Sequence, residues 1–540
     1  MITPTQKLTN LLIRIISETN GLTLGNTIEL LLKSNYLEHD NESKKEIESF
    51  VNLLYQNRSK KIPIKELLSH PFSHALFQFF KSFPLKYHEE HIHLTGSLTP
   101  EFIYPHLMHI LNGPKKDKIE KLLKNVYEFS YRGIQSPDDI RKLICLKDHQ
   151  HFDEYLKILF LPKLILRDRQ IHQDAAYHMA SNLYHNYNVG RIRLKFTLSR
   201  INGLKEEILP SENYLSSKDV VLGLYDGFMQ FKKEHNDFDF VLTPCFRKEL
   251  DFYDQARFKS KKDHIDHQVE TILNLLDNFP ELTPYLREVD TVGNEKELFR
   301  KVHFMEMKHG FRRLQYKGLK IRSHHGESFE TLRKGVQSVD NALNIWRIDT
   351  LEHGISLGIN PNFYYQRIVD RVIKDNQQKI PLREHSHEYN EVKNMDWPDY
   401  SVPEKLYQGI PLSDSEVTSF IKTKFHTALE TEHYQHDVLN HMINKNVPLI
   451  SLPTSNLKLT GRFDYYKDHP FSWWEKKGLR LGIGTDNYIT LNTNFIQELL
   501  ILLYSDPDNL KINKLLSVAT REKRRAYISN LLWDMRKKIV

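Results

Sequence analysis

The sequence predicts an α/β fold, namely a (β/α)8 TIM-type barrel with a helical N-terminal extension and a large insertion between strands 6 and 7. Three observations predict it. Eight short apolar or alternating segments are separated by longer segments with helical periodicity. Residues 1–85 carry apolar side chains at helical spacing ahead of the first short segment. About 95 residues separate the sixth and seventh short segments, which is too many for a single crossover helix.

The short segments are predicted to be the barrel strands, and eight is the number that such a barrel requires. In chain order they lie at residues 87–93, 191–197, 238–245, 285–292, 319–324, 345–353, 447–452 and 479–485. Residues of about 362–430 are rich in proline and are predicted to form the insertion. The predicted division is therefore a helical extension at 1–85, the barrel at 86–510 and a basic helical segment at 511–540.

The net charge of +7 is concentrated at the C-terminal end. Residues 511–540 contain nine lysines and arginines but only two acidic residues, Glu522 and Asp534, so the rest of the chain is neutral on balance. We therefore interpret the basic segment as a solvated helix face or a contact for an anionic partner, and we expect no nucleic-acid-binding surface on the barrel.

Cysteine content and hydropathy bear on the cellular location of the protein. Cys145 and Cys245 are far apart, which argues against a disulfide framework or a thiolate zinc site and favours a reducing, cytoplasmic location. We expect no signal peptide and no membrane partner, because no long apolar run is present. The extension, insertion and basic segment are candidate contacts for a second copy of the chain or for a partner protein.

The first predicted strand is crowded with titratable residues. The segment at residues 87–99, YHEEHIHLTGSLT, places three histidines and two glutamates on seven residues. Alternate side chains of a strand share a face, so Glu89, His91 and His93 are expected to point the same way. Two imidazoles at i and i+2 can reach one metal ion, although an HxH pair alone is weak evidence because surface pairs such as His385 and His387 also occur.

Polar residues follow three further predicted strands. The fifth ends in His324-His325-Gly326-Glu327, the sixth in His353, and the eighth in Thr485-Asp486-Asn487. The C-terminal ends of barrel strands meet at one mouth, where barrel enzymes place their active sites. Three imidazoles and a carboxylate suit Zn²⁺ or another divalent transition metal.

Taken in order, these motifs resemble those of the adenosine deaminase family, in the metal-dependent amidohydrolase superfamily. The approximate family motifs HxHLDGS, HAGE, RIGHG, CPTSN and TDDP correspond here to HIHLTGS, HHGE, TLEHG, LPTSN and TDNY. The segments GRIRLKFTLS and DTVGNE are similar to the family's second- and fourth-strand motifs. The resemblance covers about residues 86–505. It implies zinc-dependent hydrolytic deamination of a 6-aminopurine nucleoside or 5′-nucleotide, with release of ammonia.

The resemblance also implies roles for individual residues. The implied ligands of one Zn²⁺ per chain are His91, His93, His324 and Asp486. His325 is the alternative to His324, although the H-x-G-E register favours His324.

The implied acid is Glu327, which would protonate N1 of the purine and therefore needs a raised pKa. His353 would accept a proton from the attacking water, which Asp486 would help to hold. The main-chain N–H of Gly293 would donate to the purine N3. Glu89 or Ser455 is expected to support the ligands.

Three departures from the family motifs bear on the substrate. Thr95 replaces an aspartate, and because a neutral hydroxyl does not repel a phosphate, 5′-phosphorylated substrates are slightly favoured. Asn487 replaces the second aspartate of TDDP and is expected to donate to the purine N7 at any pH. Glu352 and Leu452 replace a glycine and a cysteine, and the sequence gives no physical reason for Glu352.

Two other functions remain open. A related metal-dependent barrel could hydrolyse another C–N, C–O or P–O bond, or the barrel could be a catalytically silent nucleotide sensor or scaffold. Glycine in DTVGNE, where many such hydrolases need a bridging lysine, argues against the first. The complete set of predicted ligands, acid and base argues against the second. The two cysteines exclude a base deaminase with an H-x-E…P-C-x-x-C signature.

Overall fold

A computed structural model describes most of the chain. The described residues are 3–19, 21–37, 40–59, 63–114, 116–128, 131–147, 152–198, 215–255, 257–295, 298–463 and 465–539.

Eight parallel strands pair in chain order to form a barrel. They are β1 Tyr87–His93, β2 Val189–Thr197, β3 Asp239–Arg247, β4 Glu288–Val292, β5 Lys320–His325, β6 Thr350–His353, β7 Leu449–Ser451 and β8 Leu481–Ile483. The chain after β8 closes the barrel onto β1, where a bridge joins Ile92 to Asp486 and the N–H of His93 donates to the carbonyl of Asp486 at 2.8 Å. The predicted (β/α)8 fold is confirmed.

Helices cover the outside of the barrel and precede it. Those before β1 are α1 Pro4–Glu18, α2 Leu24–Lys33, α3 Asn41–Arg58, α4 Ile64–Leu68 and α5 Pro71–Lys81. Those between β1 and β2 are α6 Leu94–Ser97, α7 Pro100–Leu111, α8 Lys116–Tyr127, α9 Pro137–Ile144, α10 Phe152–Ile158, α11 Phe160–Ile165 and α12 Arg169–Tyr187. Single helices follow the next four strands: α13 Ser217–Glu234, α14 Lys261–Asn278, α15 Lys301–Tyr316 and α16 Leu332–Asn341.

The interval between β6 and β7 is helical in the structure. It contains α17 Pro361–Gln377, α18 His387–Lys393, α19 Ser401–Gln408 and α20 Asp414–Asn444. The remaining helices are α21 Pro453–Thr460, α22 Phe471–Lys476, α23 Phe495–Ser505, α24 Ile512–Thr520 and α25 Arg525–Lys537. The two ends of the chain lie together, because α1 packs against both α5 and α25. None of the helices in the described residues is both long and apolar enough to cross a membrane.

The sixth strand is shorter than predicted. Residues 345–353 were expected to be extended, but a π-helical turn at Ala342–Trp346 continues α16, and β6 begins only at Thr350. Trp346 is buried and its indole N–H donates to the carbonyl of Phe304 at 2.7 Å. The apolar side chains before β6 therefore pack as part of a helix, and Arg347, at φ 55°, turns the chain into the strand.

The inside of the barrel contains a network of buried charges where branched apolar side chains are usual. Its members are Glu90, Arg193, Lys195, Glu288, Asp290, Arg322 and Glu352. Arg193 donates to both carboxylate oxygens of Glu288 at 3.0 Å. The strict alternation expected for β1 is interrupted, because its register shifts between Glu89 and Ile92 and the Glu90 carboxylate joins this network. Arg521, just after α24, also pairs with Glu90, so that four anions and four cations neutralise one another below the strand ends.

Candidate active site

Three histidines meet at the C-terminal mouth of the barrel. The Nε2 atom of His91 lies 3.1 Å from Nε2 of His93 and 3.1 Å from Nε2 of His324, and the last two atoms are 3.3 Å apart. Tetrahedral zinc with Zn–N bonds of 2.0–2.1 Å places its nitrogen ligands about 3.3 Å apart. These three residues form a group that could hold a metal ion.

The opposite ring nitrogens are held by buried carboxylates. His91 Nδ1 lies 2.6 Å from Glu352 Oε2, and His324 Nδ1 lies 3.2 Å from Asp290 Oδ1. Each carboxylate accepts the Nδ1 proton, so the Nε2 lone pairs point at one another. Burial, and then the positive charge of Lys195, hold the pKa of His91 well below its usual range. Neutral imidazoles with converging lone pairs fit a cation between them.

Asp486 completes this group. Its Oδ1 lies 3.6 Å from Nε2 of His91 and 3.4 Å from Nε2 of His93, while Oδ2 accepts a hydrogen bond from the hydroxyl of Ser455. Burial raises the pKa of Asp486 to about 6. Its backbone is left-handed, with φ at 66°, a conformation that costs a non-glycine residue free energy and that occurs most often at functional sites.

His353, like Asp486, has a left-handed backbone conformation, with φ at 64°. Its Nδ1 donates to Oδ1 of Asn456 at 2.9 Å, which leaves Nε2 as the unprotonated nitrogen. Nε2 is buried and has no hydrogen-bond partner among the described residues. Burial lowers the pKa of His353, so the ring is neutral. His353 lines the cavity described below and presents a proton acceptor there.

The carboxyl group of Glu327 lies beside His353, with Oε1 3.6 Å from Nδ1 of that ring. Burial raises the pKa of Glu327 to about 8, because nearby Lys248 offsets only part of the desolvation. The loop that carries Glu327 is fixed by Glu295, whose carboxylate accepts the main-chain N–H groups of Gly326, Glu327 and Ser328. Glu327 is therefore a positioned carboxylic acid that keeps its proton at neutral pH.

These groups open into a cavity of about 160 Å³. Its lining includes His93, His324, Glu327, His353 and Asp486 at one end, and Thr95 and Gly293 along the wall. Gly293 has φ at 107°, and a Cβ there would lie 2.2 Å from a carboxylate oxygen of Glu249, so only glycine fits.

The structure does not bring Asn487 to the cavity wall. Its side chain is fully buried, and its Nδ2 donates to the hydroxyl of Tyr155 at 2.7 Å. A Cβ on Gly96 would overlap the Asn487 side chain, so the two residues are in close contact. Tyr155, which does line the cavity, stands in front of the amide. The expected hydrogen bond from Asn487 to the purine therefore has no support in this arrangement.

The remaining candidates are also placed. His325 faces away from the ligand group, where its Nδ1 contacts the hydroxyl of Ser323 and its ring packs against Trp346. Glu89 accepts from the hydroxyl groups of Thr485 and Tyr488, both at 2.9 Å, and so ties β1 to the segment after β8. It also accepts the main-chain N–H of His91 at 3.2 Å. Of the two residues expected to support the ligands, Ser455 therefore contacts the side chain of one, Asp486, and Glu89 contacts the backbone of another.

Sequence reasoning missed several residues that orient the site. Glu352 and Asp290 hold the histidine rings, Asn456 holds His353, and Glu295 holds the acid loop. The motifs TLEHG, LPTSN and DTVGNE contained all four of these residues, but nothing in them indicated which way the side chains point. The unexplained Glu352 now has a physical role, because it accepts from His91 inside the barrel.

Replacing Glu352 with Gln is expected to lower the affinity for Zn²⁺ about 10- to 100-fold, because the His91 ring loses an anionic partner that orients it and raises its basicity. The measurement is competition for Zn²⁺ against a chromogenic chelator, normalised to folded protein. Glu384→Gln is the matched control, since the Glu384 side chain is 73% exposed. Equal affinities for wild type and Glu352→Gln would contradict the assigned role.

A short segment of the chain is similar in sequence to known proteins. No family model matches the chain. Adenosine deaminases of Clostridium botulinum are 45% identical to it over 58 residues, which is 11% of this chain and 17% of the relative. The chain resembles the adenosine deaminases. The match spans less than a fifth of the length of these adenosine deaminases, and it confirms the resemblance that the ordered motifs predict.

Solved structures of purine deaminases are similar in outline. An adenine deaminase from Arthrobacter aurescens aligns with a TM-score of 0.48 at 14% identity and covers 84% of this chain and 99% of its own. The N6-methyl-AMP deaminase of Arabidopsis thaliana aligns with a TM-score of 0.47 at 12% identity and covers 86% of this chain and 98% of its own.

Proposed function

We propose that this chain is a zinc-dependent hydrolase that deaminates a 6-aminopurine nucleoside or 5′-nucleotide to the inosine product and ammonia. One observation carries the proposal. A single buried cavity joins a three-histidine group that fits a metal ion, a neutral imidazole with a free Nε2, and a carboxylic acid whose pKa is raised to about 8. Hydrolytic deamination needs each of these three parts.

Zn²⁺, when bound by His91, His93, His324 and Asp486, would lower the pKa of a water molecule from 15.7 to about 7. Asp486 would both help to hold the metal and help to hold that water. Asp486 accepts from Ser455 through Oδ2, which leaves Oδ1 directed at the histidine nitrogens. The expected zinc ligands thus come from β1, from β5 and from the segment after β8.

His353 would take a proton from the attacking water. Its Nε2 is the acceptor because Nδ1 is committed to Asn456. The buried ring is neutral before the reaction, and its Nδ1–H is already held by Asn456 when positive charge develops on the ring. The oxygen of the water then forms a bond to C6 of the purine.

Glu327 would protonate N1 of the purine as the oxygen adds to C6. Proton transfer to N1 removes the negative charge that the ring would otherwise acquire. The tetrahedral carbon then loses the amino group, which takes up the proton that His353 accepted from the water and leaves as ammonia. The C6 hydroxyl gives up its proton, which restores the acid form of Glu327, and C6 becomes a carbonyl. Because His353 lies beside Glu327, acid and base act on adjoining faces of one small cavity.

The wall residues would orient the substrate. Gly293 lines the cavity, and its main-chain N–H is proposed to donate to the purine N3. Thr95 is proposed to lie near the 5′ end of the sugar. The division of the chain at residues 85 and 510, a cytoplasmic location and contacts with a second copy or partner protein stay predictions.

The test is ammonia release by the purified, zinc-loaded protein from a matched panel of adenosine, deoxyadenosine, their 5′-mono- and triphosphates, and single-stranded nucleic acid. Release from one or more of the nucleosides or nucleotides, and none from nucleic acid, is expected. No release from any member by protein that retains about one metal ion per chain would favour the nucleotide sensor or a different substrate instead.

A further inference from the structure

Part of the cavity lining is positively charged. Lys163, on α11, and Arg247, at the end of β3, both line the cavity, and so does Lys261 at the start of α14. One carboxylate, that of Glu249, contacts this set through Arg247 Nε at 3.0 Å. Three cations and one carboxylate leave this wall with a net positive charge before any ligand enters.

Lys163 is the cation without a partner. Lys261 donates to the carbonyl oxygens of Arg247 and Phe252 at 2.6 and 2.7 Å, and Arg247 is paired with Glu249. The ammonium group of Lys163 makes no hydrogen bond or ion pair with any of the described residues. Burial, and then repulsion by Arg247, lower the pKa of Lys163 to about 8. An ammonium group held beside a second cation is unfavourable unless an anion joins them.

Lys163 lies on a helix that contacts the helix of Thr95, the residue that bears on substrate choice. The helix α11 packs against α6, which carries Thr95. Thr95 is the position at which the family motif has an aspartate, and the threonine hydroxyl can donate a hydrogen bond to an anion that an aspartate would repel. Two independent features, the neutral Thr95 and the unpaired Lys163 ammonium, therefore lie on adjoining helices, and both line the cavity.

We propose that Lys163 and Arg247 bind the 5′-phosphate of a purine nucleotide, with the Thr95 hydroxyl as an additional donor, so that the preferred substrate is the 5′-nucleotide and not the free nucleoside. The proposal rests on the proposed deaminase function. A dianionic phosphate offers three acceptor oxygens, which suit the single strong donor of a lysine and the planar fork of an arginine. It also supplies the negative charge that this wall lacks.

The experiment compares a purine 5′-monophosphate with its nucleoside, by equilibrium binding of the product pair and by turnover of the substrate pair. Lys163→Met is expected to lower the preference for nucleotide over nucleoside about 10- to 100-fold, the range for a hydrogen bond to a charged group. Lys163→Arg keeps the charge and is expected to retain most of the preference. The matched control is Lys157→Met, because Lys157 is exposed on α10 and lies outside the cavity.

The outcomes separate this proposal from the proposed function. Wild-type protein that binds both ligands equally, or a Lys163→Met variant that weakens both equally, would overturn the phosphate site even if nucleosides are deaminated. A phosphate-dependent gain in binding that Lys163→Met removes would support the site even if no ammonia is released, in which case the deaminase function fails alone. Added inorganic phosphate is expected to compete with the nucleotide and not with the nucleoside.

Discussion

Replacing Glu327 with Gln is expected to lower the rate of purine deamination by a factor of about 10²–10⁴, the usual contribution of a positioned general acid. The glutamine is nearly the same size but has no proton to give to N1. Zinc content is expected to stay at about one ion per chain, because Glu327 is not part of the three-histidine group. The measurement is kcat/KM by ammonia release, together with the metal content of the same preparation.

The pH profile provides a second readout of this acid. Because the pKa of Glu327 is raised by burial to about 8, the carboxyl is protonated below that pH and ionised above it. The kcat/KM of the wild type is therefore expected to fall as pH rises through about 8. The residual activity of Glu327→Gln is expected to lack this fall. A variant that keeps near wild-type activity, or the same alkaline fall in both proteins, would show that another group is the acid.

Replacing His324 with Gln is expected to remove most of the bound Zn²⁺ and, with it, all measurable turnover. The loss of one imidazole leaves two histidines and a carboxylate, and the neutral amide of Gln is a weak ligand for zinc. The adjacent His325→Gln is the matched control. It is also a buried histidine, but its ring contacts Ser323 and Trp346 on the side away from the site.

Metal content and thermal stability distinguish the two variants. His325→Gln is expected to keep its zinc even if it unfolds at a lower temperature. His324→Gln is expected to lose both the zinc and the increase in melting temperature that added zinc gives to the wild type, since a ligand that binds only the folded state stabilises it. A His325→Gln variant that loses zinc while His324→Gln retains it would reverse the ligand assignment.

The barrel and the cluster of polar strand ends were predictable because both are periodic features. Short apolar or alternating segments recur between helical ones, and the C-terminal ends of parallel strands must meet at one mouth. Asp486 could be placed there because it directly follows the eighth segment. The structure brings it within 3.6 Å of His91 although the two positions are 395 apart in the sequence.

The supporting residues were less predictable, because the direction of a side chain depends on strand tilt and register. A regular alternation of β1 would separate Glu90 from His91, but the register shift directs the Glu90 carboxylate into the charged interior. Glu352 directly precedes the predicted site residue His353. The sequence alone does not show that the Glu352 side chain points at His91 inside the barrel. The charged interior combines side chains from five strands, and no local pattern identifies its pairs.

The residues of the cavity wall were the least predictable, because several of them come from the long segments that connect the strands. Lys163 belongs to the helical segment between β1 and β2, and nothing in its neighbourhood distinguishes it from a surface lysine. Asn487 was expected to donate to the purine because it replaces the second aspartate of the family motif TDDP. The close approach of Gly96 and the hydroxyl of Tyr155 place it behind the wall instead.

The most direct test of the central claim is the position of the new oxygen when the zinc-loaded protein acts on a 6-aminopurine nucleotide in ¹⁸O-labelled water. Hydrolytic deamination is expected to place one heavy oxygen on C6 of the purine ring for each ammonia released, with the sugar and phosphate unlabelled. Fragment mass spectrometry locates the label. Heavy oxygen on the phosphate or the sugar, or no product at all from protein with its zinc bound, would contradict the assignment of this chain as a purine deaminase.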